Sequence, residues 1–216
     1  MYTIALGSFL AVLPLLNHVH AMTASTQIFP DIALQMTSGL GGFMEFYQNA
    51  PQDVLTVVVS LYGLTPNTVH GWHVHEMAIT NQNCSTAGAH YNPFNMTHGA
   101  PTSPIRHVGD FGNFITDMQG NANYTYVDTV ASLFGQYTIL NRTVVIHEMQ
   151  DNLGLAGNAT SLATGDAGAK TGCAIIVKQC DRCMVNQYTQ ANAGMHSMPN
   201  HYLVAGMMTL LALVQL

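Results

Sequence analysis

Charge is scarce in this sequence. Asp, Glu, Lys and Arg together make up 7% of it, with five Lys and Arg against eleven Asp and Glu and a formal net charge of −6. Arg106, Arg142, Lys170, Lys178 and Arg182 are the whole cationic set. That is too few to build the basic surface that nucleic acid requires, so no nucleic-acid partner is expected. A chain with 48% apolar residues and so little charge is not a solvated tail either. Other absences narrow the fold. No segment keeps a long apolar period of 3.6 residues, which argues against a helical bundle. There is no heptad pattern and no internal repeat. No apolar run reaches the ~20 residues of a membrane-spanning helix.

At 216 residues the chain has room for one domain with processing segments, or for two small domains. Both ends read as addresses. The apolar run Ile4–Leu16 has signal-peptide length, and Val19-His20-Ala21 fits a small-residue cleavage site after Ala21. Its n-region lacks Lys and Arg, and the alternative is a buried helix, which Pro14 would break. Residues 1–21 are therefore expected to be a signal peptide, residues 22–190 the domain, and residues 191–216 a spacer and tail. The tail is apolar from Tyr202 to Leu216, short for a span and without a cationic stop. Upstream lie the small triplet Asn192-Ala193-Gly194 and a polar spacer, the pattern of a glycosylphosphatidylinositol anchor signal with Asn192 as attachment candidate. A tail-anchoring helix and a packed terminal helix are the alternatives. The first reading makes the protein secreted and held at the extracellular cell surface, touching the membrane through that anchor.

N-x-S/T sequons at Asn83, Asn95, Asn123, Asn141 and Asn158 agree with export. Four cysteines, Cys84, Cys173, Cys180 and Cys183, suit an oxidising compartment and allow three pairings. Cys180 and Cys183 are close enough in sequence to pair, which would leave Cys84 and Cys173. A C-x-x-C zinc site is the rival for the last two, though no second C-x-x-C accompanies it.

Between the ends the chain reads as β structure. "DVLTVVVSLYGL" is rich in β-branched residues, and "NANYTYVDTV" alternates Tyr124, Tyr126 and Asp128 against Thr125, Val127 and Thr129. "QYTILNRTVVIHE" and "GCAIIVKQC" are further strand-like runs. Turn signals at roughly 8–12-residue spacing between them suggest a sandwich or barrel. Two stretches resist strand assignment, from about Glu76 to Gly109 and from about Glu148 to Lys170. Loops that long are usually functional.

Histidine is what the chain has in plenty. Of its eleven, seven fall inside the β domain. In "GWHVHEM", His73 and His75 would share one face of an extended strand, about 7 Å apart at ~3.3 Å per residue. Others sit in "AGAHYNP", "MTHGAP", "IRHVGD" and "VVIHEM", and Asp110 follows His107 by three residues. Imidazole is the commonest ligand for zinc and copper. Six histidines and one aspartate can supply two sites of about four ligands each.

The motifs "HGWHVHE", "AGAHYNP", "HGAP", "RHVGDFGN", "VVIHE", "DNLG" and "GDAGAKTGC" resemble those of the copper/zinc superoxide dismutases. The resemblance covers about residues 33–178, and the leader points to an extracellular form. The intervals agree: 17 residues from His73 to His90, eight to His98, nine to His107, three to Asp110 and 37 to His147. The resemblance implies an eight-stranded Greek-key β-barrel, an immunoglobulin-like sandwich with two long functional loops. It implies one Cu2+ and one Zn2+ per subunit. His73, His75, His90 and His147 match the copper ligands. His90, His98, His107 and Asp110 match the zinc ligands, so His90 would bridge the metals. Asp151 matches a carboxylate that links ligand histidines of both sites, and Cys84 with Cys173 matches the family's disulfide. The implied substrate is superoxide anion, converted to dioxygen and hydrogen peroxide by copper redox cycling. In that mechanism His90 lets go of reduced copper and its freed nitrogen carries a proton. Metal storage or delivery, and structural reuse of the fold, are the rival functions.

Three departures stand out. Lys170 occupies the place of an arginine that lies over the copper; it keeps the charge but lacks the planar fork. Ala159, Thr160 and Ala163 stand where relatives carry charges that shape the field around the channel. Relatives commonly form homodimers through a surface near Asn141, where a glycan would block an apolar contact.

Overall fold

The computed structural model describes residues 22–30 and 39–179. The expected signal peptide at residues 1–21, Cys180, Cys183, Asn192 and the expected anchor tail lie outside the described residues. Among the described residues there are nine strands: β1 Met22–Pro30, β2 Gly41–Gln48, β3 Leu55–Tyr62, β4 Val69–His75, β5 Asp110–Ile115, β6 Ala122–Asp128, β7 Thr143–His147, β8 Lys170–Ile175 and β9 Val177–Lys178. They run in the spatial order β5-β4-β7-β8-β1-β2-β3-β6, every neighbouring pair antiparallel, with β9 against β1. β1 joins two sheets, pairing Met22–Ile28 with β2 and Phe29–Pro30 with β8. The chain changes sheet between β3 and β4, between β5 and β6, and between β6 and β7, as a Greek-key sandwich does.

Alternation sets the register. In β3, Leu55, Val57, Val59 and Leu61 are buried while Thr56, Val58, Ser60 and Tyr62 face outward. β6 alternates in the same sense. Trp72, the one tryptophan, is fully buried and meets Phe111, Phe114, Tyr124 and Tyr126 edge-on at 4.9–6.4 Å between centroids. Such pairs add to the burial of their area. β7 does not alternate: all five residues are buried. Val144 and Ile146 face the main core, and Val145 packs with Cys84, Ala87 and Cys173 beneath the first long loop.

The two long loops fall where the sequence places them, at residues 76–109 after β4 and residues 148–169 after β7. The first holds a 3-10 helix, Cys84–Ala87, capped by Asn83 Oδ1. The Cys84–Cys173 disulfide ties that helix to β8 across 89 residues. Native disulfides in small domains typically stabilise by ~2–5 kcal/mol. The second loop holds α1, Ala159–Thr164, with Asn158 at its N-cap and Gly165 in the left-handed region at its end. Among the described residues no helix is long and apolar enough to cross a membrane.

Local readings differ in two places. "QYTILNRTVVIHE" forms a strand only from Thr143, because Asn141 takes φ +60° in the turn before it. The strand expected over "GCAIIVKQC" breaks at Ile176, whose N–H donates to Arg142 O, so β8 and β9 are separate.

Candidate metal centre

Strand ends and loop bases bring the six histidines together. His73 and His75 close β4, and His147 closes β7 beside them through the Trp72–Ile146 and His73–Val145 pairs. His90 reaches them from the first loop and bridges to His75. His98 and His107 follow in that loop, and Asp110 opens β5. His73, His75, His90 and His147 offer four ligand atoms within 4.8 Å of one another; so do His90, His98, His107 and Asp110. All seven residues are buried, and His90 belongs to both groups.

Hydrogen bonds fix which nitrogen of each ring is free. His75 Nδ1–H donates to Gly88 O at 2.9 Å and His147 Nδ1–H to Gly168 O at 3.1 Å, which leaves both Nε2 atoms as lone pairs. Those Nε2 atoms face each other at 3.4 Å. His73 Nε2–H donates to Asp151 Oδ2 at 2.9 Å, so its Nδ1 is a lone pair, buried and without a partner. His90 Nε2 is also buried without a partner. Four acceptors therefore converge with no donor among them, which suits a cation.

In the second group, Nδ1 of His90, His98 and His107 lie 3.0, 2.9 and 3.0 Å from one oxygen, Asp110 Oδ1. Tetrahedral zinc at ~2.0–2.1 Å from its ligands spaces them about 3.3 Å apart, close to this contraction. Asp110 Oδ2 is held by the N–H groups of Gly99 and His107. His98 Nε2–H donates to Asp151 Oδ1 at 2.8 Å, so its Nδ1 lone pair points at the Asp110 carboxylate. Only a second proton or a metal ion settles that contact.

The two groups differ in charge. Burial, foremost, and the neighbouring imidazoles hold His73 and His75 well below their usual value. Burial also lowers His90 and brings His147 down to about 3. These rings stay neutral and keep their lone pairs. Burial works against His98 too, but hydrogen bonds to Asp110 and Asp151 outweigh it and raise His98 to about 9. Burial alone would raise Asp110; hydrogen bonds from His107, His90 and His98 instead hold it far below the carboxylate range. One group thus consists of neutral rings, and the other pairs the Asp110 carboxylate with a protonated His98.

Asp151 spans both groups, and residues that the sequence reading missed hold it. Asn113 clamps its backbone, donating Nδ2 to Asp151 O and accepting from Asp151 N, both at 2.8 Å. A Cβ on Gly71 would lie 3.1 Å from Asp151 Cβ and 3.0 Å from Ala167 Cβ. One on Gly165, at φ +67°, would collide with the Asp151 carboxylate. His70, the seventh histidine, donates Nδ1–H to His147 O at 2.8 Å. Lys170, half-buried, donates Nζ to Gly88 O at 2.8 Å, the carbonyl that also orients His75.

The neutral group makes stability pH-dependent. Between about pH 6.5 and 3 the unfolded chain binds protons that folded His147 refuses, and His73 and His75 act in the same sense. Their contribution is full above pH 6.5 and is lost as pH falls toward 3, at about 1.4 kcal/mol per pH unit for each ring still unprotonated. His98 acts oppositely: its contribution is full below 6.5 and fades as pH rises through about 9. Urea unfolding of the metal-free domain should show a midpoint that falls steadily from pH 6.5 to 4. A flat profile would contradict the neutral assignment.

Comparison with known proteins agrees with this geometry. Residues 40–176 match the family model described as copper/zinc superoxide dismutase. The Cu-Zn superoxide dismutase of Paramecium bursaria Chlorella virus 1 is 45% identical over 135 residues, 62% of this chain and 71% of that one. Those of Candida glabrata and Saccharomyces cerevisiae are each 41% identical over 143 residues, 66% of this chain and 93% of theirs. The donors fit copper and zinc, the metals that family uses, and the chain belongs to the copper/zinc superoxide dismutase family.

Proposed function

We propose that the protein is an extracellular superoxide dismutase held at the cell surface by a lipid anchor. The observation that carries the site is the shared imidazole, His90, with one nitrogen toward Asp110 and the other toward His73, His75 and His147. On this reading His73 Nδ1 and the Nε2 atoms of His75, His90 and His147 hold copper. The Nδ1 atoms of His90, His98 and His107, with Asp110 Oδ1, hold zinc. Bound copper would supply a one-electron couple for superoxide, and bound zinc would supply fixed charge. His90 Nε2 is the atom that takes up and delivers a proton, its ring held through Nδ1 by the zinc group. Asp151 keeps His73 and His98 in the tautomers that each group needs.

Lys170 attracts the anion. Its charge is among the causes that lower His75 and His147, so its field reaches the neutral group. α1 adds no charge of its own, and the exposed Ala159, Thr160 and Ala163 leave Lys170 to do the steering.

Export rests on the sequence: the leader ending at Ala21, the sequons and the anchor-like tail at Asn192. Asn95, Asn123, Asn141 and Asn158 are exposed and Asn83 is half-buried, so glycans have room. A glycan on Asn141 would keep that surface from forming a dimer. Cys180 and Cys183 pair with each other on this reading.

Two experiments test the proposal. Cells expressing the full chain should show surface superoxide dismutase activity that a phospholipase specific for phosphatidylinositol anchors releases into the medium. Activity that stays on the cells with Leu216 still present by mass spectrometry would point to a helix anchor instead. For Lys170, kcat/KM by pulse radiolysis should be similar or higher in Lys170→Arg and lower by about tenfold or more in Lys170→Glu. Salt should slow the wild type more than Lys170→Ala, since exposed attraction is screened beyond ~8–10 Å. Equal rates for the Lys, Ala and Glu forms would remove Lys170 from the mechanism.

A further inference from the structure

We infer that a glycan on Asn123 lies across the outer face of the β2–β3–β6 sheet and packs on Phe43 and Tyr62. This rests on the reading of an exported, glycosylated chain. The sequon Asn123-Tyr124-Thr125 lies within β6, and the alternation of that strand turns Asn123 and Thr125 outward while Tyr124 turns in. Ser60 stands opposite Asn123 on β3, and Phe43 stands opposite Ser60 on β2. The three form one row on one face. Ser60 Oγ donates to Asn123 Oδ1 at 2.9 Å, so the Asn123 side chain leans over β3 toward Phe43. Adjacent strands lie ~4.8 Å apart, so Asn123 and Phe43 are about 10 Å apart, within reach of the first two rings of a glycan.

The middle of the row is low and its flanks are aromatic. Ser60 is small. Phe43 is 47% exposed, and Tyr62, on β3 two residues beyond Ser60 and so diagonal to Asn123, is 56% exposed. The Tyr62 ring lies over Gly41, where any side chain would collide with it. Among the outward residues of these three strands the one charge is Glu45, and it already accepts from the Tyr47 hydroxyl at 2.7 Å. A face of aromatic rings and hydroxyls with a single charge suits a sugar, whose C–H faces stack on rings while its hydroxyls take hydrogen bonds. A free neutral polysaccharide offers the same chemistry, but a sugar tethered at Asn123 arrives at an effective concentration on the order of millimolar. Among the described residues β6 is an edge strand, paired only with β3, and a glycan there also shields it from pairing with a second chain.

The test is a thermal cycle on the full chain made in a eukaryotic secretory host, with occupancy at each sequon read by mass spectrometry. Asn123→Gln is compared with wild type in two backgrounds, native and Phe43→Ser/Tyr62→Ser, and again in protein made without glycans. The unglycosylated set subtracts the Ser60 hydrogen bond. The Asn123 glycan should raise Tm by about 2–4 °C in the native background. That gain should fall to less than half in Phe43→Ser/Tyr62→Ser and return with Phe43→Trp. An equal gain in both backgrounds overturns the packing. An empty Asn123 beside other occupied sequons overturns the inference and leaves the export reading standing. No glycan at any sequon overturns both.

Discussion

One carboxylate fixes the geometry of the centre. Asp151 accepts from His73 Nε2 and His98 Nε2, one on each oxygen, and so decides which nitrogen of each ring turns toward a metal. His73 has no other partner that would set its tautomer, its Nδ1 being buried and unsatisfied, while His98 Nδ1 faces Asp110 Oδ1 at 2.9 Å. The fold spends several features on this one side chain. Asn113 clamps its backbone from β5, Leu153 N–H donates to Oδ1, and Gly71 and Gly165 clear the space that a Cβ would fill. The second long loop is thereby fastened to β4, β5 and the first loop at a single buried point.

From that point the chemistry divides. On one side, neutral imidazoles present lone pairs to a shared space; on the other, an anionic carboxylate gathers three ring nitrogens on one oxygen. His90 belongs to both, so a change on one side is felt on the other through a single ring. The scarcity of charge elsewhere gives this arrangement more weight. With five cations in the chain, Lys170 at the start of β8 has little competition for an approaching anion.

Much of this was legible because spacing carries it. The motifs and intervals around His73, His90, His98, His107, Asp110 and His147 resemble those of the copper/zinc superoxide dismutases, and that resemblance implies the donor set; His-x-His on a strand puts two rings on one face. The two loops were legible to within a residue because strand-like runs stop at His75 and His147, although the second was read as ending at Lys170, which opens β8. What the sequence hid was of another kind. β1 and β2 went unnamed because "MTASTQIFP" and "GGFMEFYQ" carry too few β-branched residues to stand out, yet long-range pairing makes them strands. Asn113, His70 and the carbonyls of Gly88 and Gly168 act through single hydrogen bonds to residues far along the chain, which no local pattern announces. Asn141 ended a strand reading through one positive φ that its neighbours do not encode.

The central claim is that Asp151 governs both metal groups at once, and one substitution isolates it. Asp151→Ala removes both oxygens that accept from His73 and His98. Metal titration of the purified domain should show affinity for copper and for zinc both falling, by about 10–100-fold, the usual cost of losing an outer partner of a ligand. Unchanged affinity for either metal would show that Asp151 does not join the two groups.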